Sequence, residues 1–564
     1  MPSTETPSCT LGRQVDGSQQ VERRRRVSAC KIDTDTLRAV EARKCLRGAC
    51  RLLSTSGGGF DTYSLGHPVE KIRTFWSHSW RANSLHKRLT LLFIYNGFAA
   101  AVASLLVGGA AAVLVQVGAV PGLVCFRIGC SSHDDCHSEG YCARSSGITP
   151  GSSVDSCMDH ALCCSSQDGI DRHCPHECLA GVADSPTFLY WPSVLAFTTF
   201  LVVLMFWQPR AHVFLDKVCI HQTDAEKKQR GVDGLAGFLN HSEEILVLWD
   251  RTYFTRLWCT FEIAAYVYLH GSDLHNRVVP IIRGYSTILV VVAVFAVNVI
   301  AMLSTYMPLL SGAMEITSGL VFAVWVVHMT RNFTRQRLDL RTQMVGFRCD
   351  EASCFCCSMQ HVMPDTKAPI KCDRIVIYGA IRSWFTGGLE EFEGIVHSMF
   401  ASMEHCIGPY MMSYTDTLYF ALPDAWGAFS YAGASCLSWV SLGKTAVLLF
   451  RALVRAPLLA SIMFWLAACA ARKRSRWDWA VSIAIAIVWG ILRFCMNYSL
   501  NAAFHLSGLF GSLLISLLYF FLAKFILAGE SIRSFVTGRL AWCSAGFCHR
   551  ATDSPPVTPV PDSS

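Results

Sequence analysis

Hydrophobic and polar positions divide this chain into long apolar runs separated by shorter polar stretches. About 20 consecutive apolar residues cross the hydrocarbon core of a bilayer as a helix. Eight runs approach that length, at residues 91–117, 188–207, 285–310, 313–329, 426–450, 456–471, 479–493 and 506–527. The pattern predicts a mostly α-helical membrane protein with about eight transmembrane helices and one small cytosolic α/β module.

The polar stretch from Val213 to Leu269 carries the pattern of that module. Val213-Phe-Leu is a short apolar run closed by Asp216, and Ile245-Leu-Val-Leu-Trp is a second run typical of a buried strand. Residues 254–268 have helical spacing. Strands that alternate with helices predict a parallel sheet covered on both faces.

A further strand of the same sheet is predicted far upstream, at Thr74-Phe-Trp-Ser-His-Ser-Trp80. The runs 91–117 and 188–207 form a membrane hairpin that returns the chain to its starting side. The module is therefore predicted in two parts, residues 67–90 and 208–284. We expect residues 74–76 to lie beside residues 214–215 or 245–247.

These residues resemble a Toll/interleukin receptor (TIR) domain. The matching elements are a strand that ends in Asp216, the strand 245–249 with Tyr253 after it, and Trp258-Cys-Thr-Phe-Glu262 on a helix. The segment from Asp216 to Gln222 also resembles the related heterokaryon-incompatibility domain. With its inserted hairpin, the chain resembles uncharacterised multi-pass TIR-like proteins of microbial eukaryotes.

The resemblance implies three alternative functions. In catalytic TIR domains the motif glutamate, here Glu262, helps to cleave the nicotinamide–ribose bond of NAD, which would make the chain an NAD nucleosidase (NAD glycohydrolase) with NAD as substrate. The residues expected to bind NAD are Ser77, Ser79, Trp80, Asp216 and Trp258. Many TIR domains instead signal and self-associate without activity. A channel or transporter with an accessory TIR-like domain is the third alternative.

Cysteines concentrate in two segments. The predicted external loop, residues 118–187, holds nine: Cys125 at the membrane edge, and Cys130, Cys136, Cys142, Cys157, Cys163, Cys164, Cys174 and Cys178 beyond it. A segment so poor in apolar residues is expected to depend on disulfides, and its histidines leave zinc as an alternative.

The second group lies in the cytosolic amphiphilic segment 330–425. Its candidate metal ligands are Cys354, Cys356, Cys357, His361 and Cys372. Zinc, acylation and ordinary reduced thiols are the alternatives, and adjacent cysteines are not expected to ligate one ion easily. Farther along, one helical stripe is formed by Phe392, Ile395, Val396, Met399, Phe400 and Met403. Packing against the membrane domain is expected for it, and the bilayer interface or a partner helix are the alternatives.

Charge completes the topology. Only 16% of the 564 residues are charged, and the formal net charge of +7 is explained by basic residues that flank the spans on the cytosolic side. No nucleic-acid partner is expected, and the bilayer is the expected surrounding. The tails, residues 1–66 and 531–564, are predicted to be disordered and cytosolic, on either side of a membrane hairpin at 285–329 and a four-helix region at 426–530.

Overall fold

The structure is a computed structural model. It describes residues 32–33, 35–47, 52–54, 62–116, 128–130, 140–143, 155–159, 191–207, 209–271, 278–304, 311–362, 367–407, 414–434, 439–471 and 477–527. This described part is mostly helical with a small mixed sheet.

The strands of the described residues are β1 Arg38–Glu41, β2 His67–Pro68, β3 Ile72–His78, β4 Ile128–Cys130, β5 Gly140–Ala143, β6 Asp155–Asp159, β7 His212–Phe214, β8 Ser242–Trp249 and β9 Val278–Pro280. The first helices are α1 Ala42–Leu46, α2 Ser84–Gln116, α3 Trp191–Phe206, α4 Asp216–Cys219, α5 Ala225–Asp233, α6 Leu235–Asn240 and α7 Leu257–His270. They continue with α8 Ile281–Ser304, α9 Ser311–Val345, α10 Phe355–Ser358, α11 Asp373–Trp384, α12 Gly388–Ile407, α13 Tyr414–Thr417, α14 Leu422–Ala434, α15 Trp439–Cys469 and α16 Asp478–Leu527.

The larger sheet has the strand order β2-β1-β7-β3-β8-β9. β3 pairs in parallel with β7 and with β8, so that Phe75 lies beside both Phe214 and Ile245. β9 extends the parallel part beyond β8. The predicted pairing of the upstream strand with the two later segments is therefore confirmed.

The core of this sheet explains why the separated segments join. Phe75 and Phe214 are fully buried and stack with ring centroids 4.3 Å apart. Trp249 at the end of β8 is also fully buried. Burial of such side chains stabilises by roughly 1.5–3 kcal/mol each, which favours closure of the long chain between them.

The prediction that residues 1–66 are a disordered tail is wrong for the described residues from Thr36 onwards. β1 pairs antiparallel with β7 and with β2, which adds two strands to the sheet edge. Leu37, Val40 and Leu53 are buried in the same core. Too few apolar residues occur here to show a period, and only the neighbouring strand makes their burial possible.

Helix α2 belongs to both the sheet and the membrane region. Its first turns cover the sheet: Leu91 and Leu92 are buried in the sheet core, and the Trp76 indole donates to the Tyr95 hydroxyl at 2.9 Å. Farther along, Phe98 and Leu106 are exposed. The predicted boundary at residue 91 is therefore late, because the helix starts at Ser84 as the cover of the sheet.

Among the residues that the structure describes, four helical segments are long and apolar enough to cross a membrane: Ser84–Val115, Ile281–Ile300, Thr445–Cys469 and Asp478–Met496. Trp191–Phe206 and Leu514–Ala523 are shorter apolar helices. These segments are compatible with a membrane protein. Their exposed apolar side chains, such as Phe206 and Phe494, suit contact with lipid.

Two of the predicted C-terminal spans have other boundaries. The sequence predicts a turn between residues 450 and 456, but α15 is continuous there and passes through Pro457. α14 ends at Ala434 and α15 begins at Trp439. The residues on both sides of 450–456 are apolar, so local hydropathy does not indicate that the helix continues there.

Helix α16 folds back on itself. The Ser499 and Tyr519 hydroxyls lie 2.7 Å apart, whereas 20 residues of straight helix span about 30 Å. Ile526 then packs against the cluster of Phe333, Ala460 and Phe464. A reversal is therefore present, but it lies between Ser499 and Tyr519 rather than at the predicted residues 493–506, and the helical assignment is continuous through it.

The structure describes short strands of the cysteine-rich segment and the stripe of α12. β6 lies between β4 and β5 in a small antiparallel sheet within the cysteine-rich segment. The predicted disulfides lie outside the described side chains. The stripe of α12 does pack within the protein, since Phe392, Val396 and Met399 are buried, but they join the core of the large sheet rather than the membrane domain.

Candidate functional site

Polar residues collect where the parallel strands end. Asp216 follows β7, Ser79 and Trp80 follow β3, and Asp250 follows β8. Because these strands are parallel, their carboxyl ends lie at one edge. Ligands of open α/β sheets bind at this edge, beside the point where strand order reverses. In this sheet β3 lies between β7 and β8, so that point is at the end of β3.

Glu262 is hydrogen-bonded to β3, a central strand of the sheet. The Ser77 hydroxyl on β3 donates to the Glu262 carboxylate on α7 and also shares a hydrogen bond with the Tyr253 hydroxyl. Ser77 and Tyr253 are fully buried. Burial raises the pKa of Glu262 to about 8, against the opposing effect of the Ser77 hydrogen bond and with the Asp216 charge adding to it. The carboxyl group is therefore mostly neutral at pH 7.

Asp216 and Trp80 form the second contact of this edge. The Trp80 indole N–H donates to Asp216 Oδ2 at 2.8 Å. Lys87 Nζ and Lys217 Nζ lie 5.3 and 5.8 Å from the Trp80 ring centroid, within the range of cation–π attraction. Burial raises the pKa of Asp216, while the Trp80 and Lys217 N–H groups oppose the rise.

Ser79 begins a short chain of hydrogen bonds that sequence analysis missed. Its hydroxyl lies 2.6 Å from the Thr252 hydroxyl, which in turn donates to Asp250 Oδ1 at 2.9 Å. Burial raises the pKa of Asp250. Asp250 directly follows β8, much as Asp216 closely follows β7. This position after a strand could have identified Asp250 as a site candidate from the sequence.

His78 is a further residue of this edge that sequence analysis did not identify as a site candidate. It is buried, and its ring meets the Trp80 ring edge-on at 4.5 Å. Burial and the nearby Lys87 charge lower the pKa of His78 to about 3, so the ring is neutral. Its Nε2 has no hydrogen-bond partner within the described part of the chain.

Trp258 does not join the edge as expected. Its indole N–H donates to Asp373 Oδ2 at 3.2 Å, and its ring contacts Phe261. Helical spacing alone suggested that a residue one turn before Glu262 would share its surroundings. The segment that follows α9 takes this side chain instead, and no local pattern indicates that.

A polar cavity of about 550 Å³ opens beside the same edge. It is lined by Asn83, His86, Asp250, Arg251, Asn332 and Asp339, among others. Asn83 and His86 lie at the start of α2, and Asp250 and Arg251 follow β8. Asn332 and Asp339 belong to α9. Glu262 is not among the lining residues, so the predicted catalytic carboxylate and this cavity are separate features.

The predicted metal ligands do converge. Sulfur atoms of Cys356, Cys357 and Cys372 and a ring nitrogen of His361 lie within 4.8 Å of one another. The sulfur atoms of adjacent Cys356 and Cys357 both belong to this cluster and lie 4.0 Å apart. Cys354 lies beside Cys356 in a second group with Asp373.

Comparisons of the chain with protein-family models, curated proteins and solved structures give no match. The function therefore has to be inferred from the residues of the sheet edge, the cavity and the cysteine cluster themselves.

Proposed function

We propose that this chain is a multi-pass membrane protein with about eight spans and cytosolic termini. It signals or assembles through its sheet module, which is TIR-like. The observation that carries the proposal is the direct continuity between strands of the sheet and apolar helices. β9 ends at Pro280 and α8 begins at Ile281, while five residues separate β3 from α2. A movement of these helices in the bilayer would therefore act on the sheet without a flexible linker.

The two helices also contact each other at the sheet. The Thr90 hydroxyl of α2 donates to the Ile281 carbonyl at 2.5 Å. A Cβ at Gly284 would lie 2.6 Å from the Thr90 Cα, which leaves room only for glycine. Such a close helix contact makes the junction stiff, as expected of an element that transmits a change of state.

The surroundings of Glu262 favour the module over the enzyme. Its carboxyl group is engaged by buried Ser77 and is mostly neutral at pH 7, whereas an oxocarbenium-like transition state is stabilised by a charged carboxylate. The interactions of Glu262 are those of a residue that ties α7 to β3. The corresponding partner is a second copy of this chain, which would associate through the sheet module.

NAD cleavage is the second candidate, and one observation favours it. Asp216, Asp250 and Glu262 all have raised pKa values and lie near one strand edge. Perturbed carboxyl groups cluster at functional sites. For this function Glu262 would need to leave Ser77 and face the substrate as an anion.

The test uses purified full-length protein in proteoliposomes. We expect chemical crosslinking to capture oligomers and NAD to remain intact. Gly284→Ala should lower the crosslinked fraction several-fold by separating α2 from α8, while Gly319→Ala, at a position with open space, should not.

Two outcomes contradict the proposal. A monomeric wild type that consumes NAD, with turnover abolished in Glu262→Gln, supports the nucleosidase. A monomeric wild type that conducts ions or solutes supports the channel or transporter.

A further inference from the structure

The segment between α9 and α11 folds around four soft donor atoms with very little apolar core of its own. Its short helix α10 has only four residues, and Phe355 at its start is exposed. Cys356, Cys357 and His361 lie on or just after this helix, and Cys372 directly precedes α11. Small segments of this kind usually need a cross-link or a metal for a fixed conformation.

The three distances from Cys357 Sγ to the other donors are close to the edges of a tetrahedron around zinc, and all four donor atoms lie within 4.8 Å of one another. With Zn–S bonds of about 2.3 Å, two sulfur ligands lie roughly 3.8 Å apart. Cys357 Sγ lies 4.0 Å from Cys356 Sγ and 3.9 Å from Cys372 Sγ. Its distance to His361 Nε2 is 3.7 Å. Three thiolates and one imidazole form a closed ligand set typical of structural zinc sites.

Cys354 is excluded from the four by its geometry. Its Sγ lies 3.0 Å from Cys356 Sγ, which is shorter than the edge of a zinc tetrahedron. Cys354 is also buried, and its other neighbour is Asp373 Oδ2 at 3.7 Å. It therefore lies behind Cys356, beside the cluster rather than in it.

The backbone around His361 is held in a conformation that suits a ligand turn. Gln360 and His361 have φ values of 52° and 60°, in the left-handed region that side-chain-bearing residues rarely adopt. The His361 N–H donates to the Cys356 carbonyl at 2.8 Å. Backbone strain of this kind persists where surrounding contacts over-determine it, and ligand clamps are a common case.

A backbone donor supports the charge that metal-bound sulfur carries. The Asp373 N–H, in the first turn of α11, donates to Cys356 Sγ at 3.3 Å. The Asp373 side chain accepts the indole N–H of Trp258 on α7. Hydrogen bonds to the ligating side chains orient metal ligands and connect the site to the rest of the fold.

We propose that Cys356, Cys357, His361 and Cys372 bind one structural zinc ion that fixes residues 349–362 and 367–385 against α7. Further contacts join the two parts: the Leu257 N–H donates to the Ser353 carbonyl at 3.1 Å, and the Ser353 N–H donates to the Thr255 carbonyl at 2.7 Å. The ion would hold the N-terminal end of the helix that carries Glu262. This proposal does not depend on whether the module signals or cleaves NAD.

The test measures metal in the purified full-length protein, prepared in detergent without chelators. We expect one zinc ion per chain by elemental analysis, released when a mercurial reagent titrates the thiols. Cys372→Ser and His361→Ala should lose most of this zinc. Cys354→Ser is the matched control and should retain it, because Cys354 lies outside the four ligands.

A second measurement covers the case in which ligand variants do not fold. Wild-type protein exchanged with Co²⁺ should show thiolate-to-metal charge-transfer bands and the strong visible bands of tetrahedral Co²⁺. Zinc-free wild type in which Cys356, Cys357 and Cys372 are freely alkylated, disulfide-bonded or acylated overturns the proposal. Loss of zinc in Cys354→Ser with full retention in His361→Ala overturns the ligand assignment.

Discussion

At the scale of single residues, the surroundings of a side chain decide its chemistry. Glu262 and Glu226 are the same residue type on helices of one module. Glu226 is exposed, whereas Glu262 is half-buried and bound to Ser77. Desolvation disfavours the charged form of a carboxyl group, so Glu262 is expected to be mostly neutral at pH 7.

Glu262→Gln should therefore change the pH dependence of stability. Its pKa is raised from 4.5 to about 8 on folding, so the folded state binds the extra proton. Wild-type stability is then fully present below pH 4.5 and falls as pH rises towards 8. Gln imitates the neutral acid and does not titrate.

The measurement is thermal unfolding in detergent from pH 5 to pH 8. We expect the wild-type Tm to decline relative to that of Glu262→Gln across this range, and Glu226→Gln to follow the wild type. Parallel pH profiles for wild type and Glu262→Gln would show that the carboxyl group is ionised in the fold.

At the scale of elements, buried ion pairs join helices whose apolar surfaces specify little. Asp478 at the start of α16 receives Arg331 and Arg335 from α9; Arg331 Nη2 lies 2.9 Å from Asp478 Oδ1. All three residues are buried. Removing one partner of a buried pair leaves an uncompensated charge, which costs far more than the loss of an exposed pair.

Asp478→Asn should destabilise the protein by about 3–5 kcal/mol, because two buried guanidinium groups lose their anion. Asp339→Asn is the matched control. Asp339 on α9 also pairs with an arginine, at 2.5 Å from Arg251, but the Arg251 side chain is mostly exposed and that of Asp339 partly exposed. Solvent-accessible pairs of this kind contribute about 0–1 kcal/mol. Tm values in one detergent give the comparison, and equal shifts would contradict the assignment of Asp478 as the buried anchor.

At the scale of the whole molecule, one sheet is assembled from segments separated by an apolar hairpin. β3 precedes α2 and α3, while β7 and β8 follow them. The strand in the centre of the sheet thus comes from the other side of the hairpin. Any cut between α2 and α3 leaves two pieces that still share one core.

A specific protease site placed within residues 145–153 tests both topology and assembly. We expect cleavage from outside sealed vesicles, after which the two pieces should purify together because β3 remains between β7 and β8. The same site placed after Lys227 in exposed α5 should be protected. Cleavage at α5 from outside, or separation of the nicked pieces, would contradict the arrangement.

The sequence by itself determined the features that depend on local pattern. Apolar length indicated α2, α8 and the other long helices, and alternation with helical spacing indicated β3, β7 and β8, because period and length are properties of neighbouring residues. Even the pairing of Phe75 with Phe214 and Ile245 was predictable, since these apolar strands had no other core to enter.

Only the tertiary structure decided which residues meet across that pattern. The burial of Leu37, Val40 and Leu53, the neutral state of Glu262 and the attachment of Trp258 to Asp373 all depend on distant partners. The same holds for the convergence of Cys356, Cys357, His361 and Cys372. The continuity of α15 through Pro457 is of the same kind, because uniform hydropathy does not indicate where a helix ends until helices pack. Desolvation and contact act through space, so neither can be read from the order of residues alone.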